Sequence, residues 1–210
     1  MTYLQPRSFN TPSNIHQSDY MPSAFTPHNT NPSTQYPQAW DRASIVKLLV
    51  LDVDGVLTNG QVFIGDNGKE SLKAFDIQDG LGIKLLEKVA IPTIIITGRY
   101  SKMVLARCEE LGIKQVHMGV ENKALVLDKV LQSLNLKSSD CAVMGDDWPD
   151  FQMMKGAGLR ICPAQGHEAV KETAHFVTKK PGGSGAVREV CDLILKAQNH
   201  YEELLSQARA

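Results

Sequence analysis

The sequence predicts an α/β fold: a Rossmann-like, mostly parallel sheet with helices on both faces, a small β-hairpin beside it and no large cap domain. Three observations predict this. Apolar runs of strand length, led by residues 46–53, alternate with stretches of helical spacing, which is the pattern of βαβ units joined by right-handed crossovers. The runs are nearly continuous rather than alternating, as in parallel strands covered on both faces. One Asn67-Gly68 pair interrupts the alternation, and Asn-Gly is a strong hairpin-turn signal.

In chain order, the first forty residues are a different material from the rest. Residues 1–40 hold six of the ten prolines among Ser, Thr, Asn and Gln, with Arg7 and Asp19 as their only formal charges. Spaced prolines remove backbone donors and keep a helix from propagating. The segment is therefore expected to be a disordered extension, with residues 41–210 forming the folded domain and its C-terminal helix and tail. The extension's scattered aromatics, from Tyr3 to Trp40, leave open a docking role on a partner or a sister subunit. Its apolar runs are too short for a signal peptide.

In the body, residues 46–53 read as the first, fully buried strand. Residues 61–64 and 71–75 flank Gly65-Asp66-Asn67-Gly68 as the two arms of the hairpin. An element that small cannot act as a lid, so a site at the strand ends stays open unless another subunit covers it. Residues 93–97, 115–118, 141–145 and 159–162 are four further strands, and residues 81–89, 102–111, 123–134 and 149–156 have helical spacing between them. A long amphipathic helix is expected from residue 186 to about 205.

Composition excludes several function classes. A chain of 210 residues, 42% hydrophobic and 21% charged, can bury one full core. Its formal net charge of −1 leaves no electrostatic footprint for nucleic acid or a membrane surface. The longest apolar runs are strand-sized, far short of a bilayer span. Cys108, Cys141, Cys162 and Cys191 form no C-x-x-C pair, which fits reduced, buried thiols of a cytoplasmic protein better than zinc or disulfides. His117, His167, His175 and His200 are scattered without ligand spacing.

Ligands of open parallel sheets collect at the carboxyl ends of the strands, and here those ends carry chemistry. The first strand runs into Asp52-Val53-Asp54-Gly55-Val56-Leu57-Thr58, the second ends at Thr97-Gly98-Arg99, Lys123 opens the helix after the third, and the fourth ends in Gly145-Asp146-Asp147-Trp148-Pro149-Asp150. Singly, each has a plain explanation: Asp and Thr after strands often cap helices, and a lone lysine is usually a solvated one. Asp52 and Asp54 together are harder to explain so. Two carboxylates two residues apart at a buried strand end repel each other and lose solvation. A hard divalent cation offsets that cost, and magnesium combines one or two carboxylates with substrate phosphate. Asp52, Asp54 and Asp146 then form the metal cluster, while Thr97 and Lys123 anchor phosphate. Those are the two parts that phosphoryl transfer needs.

This ordered set, Asp-Val-Asp-Gly-Val-Leu-Thr, Thr-Gly-Arg, Asn122-Lys123 and Gly-Asp-Asp-x-x-Asp, resembles the four motifs of the haloacid dehalogenase superfamily. Residues 73–82, 119–123 and 182–189 are similar to the capless 3-deoxy-D-manno-octulosonate 8-phosphate phosphatases within it. The resemblance implies a Mg2+-dependent phosphatase of lipopolysaccharide-precursor synthesis. In it Asp52 is the nucleophile and Asp54 the general acid and base, also a metal ligand through its backbone carbonyl. Asp52 and Asp146 supply carboxylate ligands, Asp150 and Asp147 support them, and Thr97 and Lys123 hold the phosphoryl group. Substrate binding falls to Arg99, Asp79 and Gly80. It also implies a homotetramer, in which a neighbour's tail covers the site. Gly182-Gly183-Ser184-Gly185 then reads as a backbone-rich contact loop, or as a flexible link into the last helix.

Asn59 stands where that family usually has aspartate, and Gln78 where arginine usually precedes Asp-Gly. Both bear on substrate choice and leave the reaction untouched. A nonulosonate 9-phosphate is the alternative substrate, and a non-catalytic oligomeric scaffold is the alternative of another class.

Overall fold

The structure, a computed structural model, describes residues 37–210. Six strands form one parallel sheet: β1 (Leu48–Leu51), β4 (Thr93–Ile96), β5 (Gln115–His117), β6 (Cys141–Met144), β7 (Leu159–Cys162) and β8 (Phe176–Val177), in the order β5-β4-β1-β6-β7-β8. The hairpin is a separate antiparallel pair, β2 (Phe63–Ile64) and β3 (Glu70–Leu72). Its turn closes through Gly65 N–H donating to the Lys69 carbonyl and Lys69 N–H donating to the Asn67 side chain. Eight α-helices and two 3-10 turns (Ser138–Asp140 and Trp148–Asp150) complete the described chain, the α-helices being α1 (Pro37–Ala43), α2 (Ile77–Lys88), α3 (Lys102–Leu111), α4 (Lys123–Ser133), α5 (Phe151–Met154), α6 (Glu168–Thr173), α7 (Ala186–Ala197) and α8 (Tyr201–Arg209).

The continuous apolar runs have a direct physical reading. All four β1 residues are fully buried, Leu49 and Leu51 toward one core and Leu48 and Val50 toward the other. Neighbouring strands alternate in the same way: Ile95 faces the first core and Ile94 and Ile96 the second. Ala39 and Ala43 of α1, with residues of α2, α3 and α7, line the first core, while α4, α5 and α6 line the second. Each fully buried Leu or Ile contributes about 1.5–3 kcal/mol, so β1, buried on both sides and paired on both edges, is the spine of the fold. From β1 the chain winds outward through β4 and β5, then returns to β6 on the other flank. That reversal is a topological switch point, and it opens a crevice at the carboxyl end of β1.

Several elements differ from the sequence expectation. The boundary expected between residues 40 and 41 falls inside α1, where Ala39 is buried and Trp40 packs on the core. The expected extension otherwise lies outside the described residues. The long C-terminal helix is two helices. Asn199 has φ 63, and the His200 N–H turns back to the Leu195 carbonyl at 2.8 Å, so the chain caps α7 and restarts as α8. β8 and α6 went unpredicted because two residues and six residues are too short to show a period. All four cysteines are free and buried. Among the described residues no helix is long and apolar enough to cross a membrane.

Candidate active site

At the end of β1 the chain turns sharply. The N–H groups of Val56, Leu57 and Thr58 all point back to the Val53 carbonyl. Asp52 and Asp54 are thereby left at the mouth of the crevice. Gly55 makes the turn possible, with φ +89. A Cβ there would also stand 2.0 Å from Oδ2 of Asp146, so a glycine is what lets the acids of β1 and β6 approach each other.

Asp52, Asp146 and Asp150 each present a carboxylate oxygen within 4.8 Å of the others. Lys123, at the first position of α4 and 5% exposed, lies 2.9 Å from Oδ1 of Asp52 and 2.7 Å from Oδ1 of Asp150. The other oxygen of Asp150 accepts the Asp146 N–H at 2.9 Å. Asp150 thus serves as a brace: it fixes the ammonium on one side and the loop carrying Asp146 on the other. Thr97, buried at the end of β4, donates its backbone N–H to the His117 carbonyl of β5 at 2.9 Å. The β1–β4 register pairs Leu51 with Ile95, which brings Thr97 level with Val53, between Asp52 and Asp54.

The electrostatics are those of an acid-rich pocket. Burial, and then the charge of Asp150, push Asp52 up to about 6 despite the opposing pull of Lys123. Burial together with Asp150 and Asp52 pushes Asp146 up to about 7. Burial pulls Lys123 down, but Asp52 and Asp150 outweigh it and hold its ammonium above the usual lysine range. Oδ1 of Asp52 is buried against the Lys123 ammonium, which Asp150 shares. An all-oxygen donor set of mutually repelling carboxylates fits a hard divalent cation. Both Asp150 oxygens already receive protein donors, the Lys123 ammonium and the Asp146 N–H.

Asp54 stands apart from that cluster by its side chain. Its Oδ1 accepts from the Lys73 ammonium, and its Oδ2 lies 3.7 Å from Nη1 of Arg99. Arg99 also reaches Oε1 of Glu70 at 3.4 Å, and its side chain is 44% exposed. Sequence reasoning missed Lys73 and Glu70. A Glu and a Lys three residues apart read as a surface pair, and nothing in a two-strand hairpin tells which face turns inward. It also missed Gln165, whose amide donates to the Gly55 carbonyl at 2.6 Å and accepts the Gly182 N–H at 2.8 Å.

Three expected site residues occupy other positions. Asp79, expected to bind substrate, is 1% exposed. Its two oxygens accept the N–H groups of Gly185 and Arg188, so it caps the start of α7 from the neighbouring helix. Gly80 packs against α3: a Cβ there would meet the Arg107 guanidinium at 2.3 Å. Asp147 is exposed and caps the adjacent Trp148 N–H at 2.8 Å. Of the two departures from the family pattern, Asn59 makes an Asx turn to the Gln61 N–H, and Gln78 accepts from the Lys180 ammonium at 3.3 Å.

Residues 116–190 match the haloacid dehalogenase-like hydrolase family. The 3-deoxy-D-manno-octulosonate 8-phosphate phosphatase KdsC of Salmonella typhimurium is 41% identical over 172 residues, 82% of this chain and 91% of that protein. Its counterpart in Escherichia coli K12 is 42% identical over 80% of this chain and 88% of that one. Among solved structures, the 3-deoxy-D-manno-octulosonate 8-phosphate phosphatase of Moraxella catarrhalis, crystallised with a magnesium ion, a phosphate ion and KDO, superposes with TM-score 0.78. It is 41% identical, and the match covers 81% of this chain and 97% of that one.

Proposed function

The chain belongs to the haloacid dehalogenase-like hydrolases, within the family of 3-deoxy-D-manno-octulosonate 8-phosphate phosphatases, and we propose that it hydrolyses 3-deoxy-D-manno-octulosonate 8-phosphate through an aspartyl-phosphate intermediate. The observation that carries this reading is the pairing of a buried Asp52–Asp146–Asp150 cluster with a lysine that touches two of its members. Asp52 and Asp146 would hold Mg2+, with Asp150 steadying both. When bound, the cation neutralises charge on the phosphoryl oxygens and aligns them for in-line attack.

An Asp52 oxygen bonds to phosphorus while the bond from phosphorus to the sugar oxygen breaks. Asp54 delivers its proton to that departing oxygen. Water then attacks the phosphorus, Asp54 takes its proton, and the bond to Asp52 breaks to release phosphate and restore the carboxylate. Lys123 and Thr97 hold the phosphoryl oxygens through both displacements. Arg99, exposed at the mouth of the site, offers its planar fork to the sugar-acid carboxylate. The setting is a cytoplasmic step in the making of the lipopolysaccharide precursor.

The chain assembles as a homotetramer through its hairpin. Val62, Phe63, Ile64 and Leu72 are 42%, 41%, 61% and 54% exposed in and beside a ribbon of two strands whose outer edges pair with no other strand among the described residues, and such apolar edges invite pairing. The deciding experiment is phosphate release from 3-deoxy-D-manno-octulosonate 8-phosphate, a nonulosonate 9-phosphate and simple sugar phosphates, with Mg2+ and with excess EDTA. Metal-dependent turnover of the first above the others is expected. A preference for the nonulosonate ester would reassign the substrate, and no turnover of any ester would end the phosphatase reading.

A further inference from the structure

Lys73, just beyond β3, has a side chain only 1% exposed, although lysine is among the residues least often buried. Removing an ammonium from water costs several kcal/mol unless opposite charges receive it. Lys73 meets two. It donates to Oδ1 of Asp54 and lies 3.0 Å from Oε1 of Glu70. Neither acid belongs to the cluster formed by Asp52, Asp146 and Asp150. The two oxygens of Asp54 are thus treated differently: one is fastened to a buried cation, while the other faces the partly exposed Arg99 at the mouth of the crevice. A carboxylate on a tight loop has two rotatable bonds, and acid catalysis requires its oxygen to be placed within about 0.5 Å of the productive position. An anchor on one oxygen supplies that placement.

We propose that Lys73 is a positioning residue for the acid–base step, holding Oδ1 of Asp54 so that Oδ2 faces the leaving sugar oxygen. The hairpin then has a role inside its own subunit: it carries the anchor, and Glu70 keeps that anchor from standing as an uncompensated charge. This rests on the phosphatase reading above.

The test compares two leaving groups. A sugar alkoxide needs its proton on departure, whereas the phenolate of p-nitrophenyl phosphate departs with little help. Because kcat/KM reports the steps through formation of the phospho-enzyme, it isolates the acid role from the later base role. In Lys73→Met, kcat/KM for the sugar-acid 8-phosphate should fall about 100-fold, at the low end of what a positioned acid supplies. For p-nitrophenyl phosphate it should stay within about 3-fold. Lys73→Arg, which restores the cation, should recover most of the sugar-phosphate activity. If methionine leaves the fold unstable, Lys73→Gln, of similar volume and still a donor, should show the same split. Equal losses on both esters in a variant that melts like the wild type would overturn the proposal, as would unchanged kinetics. A wild type that hydrolyses both esters while the split is missing refutes the role of Lys73 alone. A wild type that hydrolyses neither refutes the phosphatase reading and this one with it.

Discussion

Gly182→Ala is a sharp test of how the catalytic loop is held, because the perturbation is one methyl group and its target is backbone. A Cβ on Gly182 would lie 1.9 Å from the Gly55 carbonyl oxygen and 2.6 Å from its carbon. An ordinary carbon–oxygen contact is roughly 3.2 Å or more, so the two segments must part by more than about 1 Å. Gly182 has an ordinary φ, which makes the effect purely one of space. The loop cannot yield easily on its own side, since the Gly182 N–H is tied to Gln165 at 2.8 Å and the Gly183 N–H to the Val56 carbonyl at 3.0 Å. Displacement therefore falls on the turn bearing Asp52 and Asp54. Overpacking of this kind costs about 1–3 kcal/mol of stability, and a 1 Å misplacement of catalytic groups can cost about 100-fold in rate. The assay is Mg2+-dependent phosphate release alongside thermal melting, with Gly156→Ala as a control. A Cβ at Gly156 meets nothing nearer than Ser138 at 3.5 Å, so that variant should keep its activity. The expected result for Gly182→Ala is a fall in kcat of about two orders of magnitude with only a modest drop in Tm. A kcat within about 3-fold of wild type would refute the reasoning, for it would mean that the glycine loop does not set the position of the nucleophile turn.

Two further outcomes follow from the same geometry. Mg2+ should raise Tm of the wild type at pH 7.5, by up to about 2.7 kcal/mol of stability at a hundredfold excess over its dissociation constant. Asp146→Asn should lose most of that rise, and a variant that keeps it would remove Asp146 from the ligand set. For pH, burial is the main reason that Asp79 is pushed from 3.8 up to about 6, with the Arg188 N–H pulling the other way. Because its folded value is raised, its contribution to stability is full below about pH 3.8 and is lost as pH rises through about 6. The wild type should therefore lose up to about 3 kcal/mol relative to Asp79→Asn between pH 4 and pH 7, read as the difference between two melting curves. A flat difference would show that Asp79 keeps its charge without penalty.

What could be read from the sequence tracks what has a period or a spacing. β1, β4 and β6 announce themselves because both faces are buried, so every residue but Thr93 is apolar. Asp52, Thr97, Lys123 and Asp146 could be placed because each follows a strand, and parallel topology carries strand ends to one edge. Features that depend on which way a side chain turns could not be read. Asp79 looks like part of a site motif, yet it is spent on capping α7, a contact 106 residues away along the chain. Lys73 looks like a surface lysine and is buried, because the hairpin folds back onto the turn it has just left. The break at Asn199 was invisible because apolar spacing continues in phase across it, so only the positive φ ends the helix.

The charges explain why the two halves of the site can sit side by side without merging. In formal charge, three carboxylates against the single Lys123 leave the Asp52–Asp146–Asp150 cluster two negative charges in excess, which one divalent cation would balance. Asp54 and Glu70 against Lys73 and Arg99 come out even. A cation entering the crevice is therefore drawn to the first group and gains little from the second, while Asp54 keeps its own partners. The fold achieves this by drawing the groups from different elements. Acids at the ends of β1 and β6 must meet because those strands are neighbours in the sheet, whereas the partners of Asp54 arrive from the hairpin and from the loop after β4. Drawing the two sets from different elements in this way lets one short loop carry two aspartates with different partners.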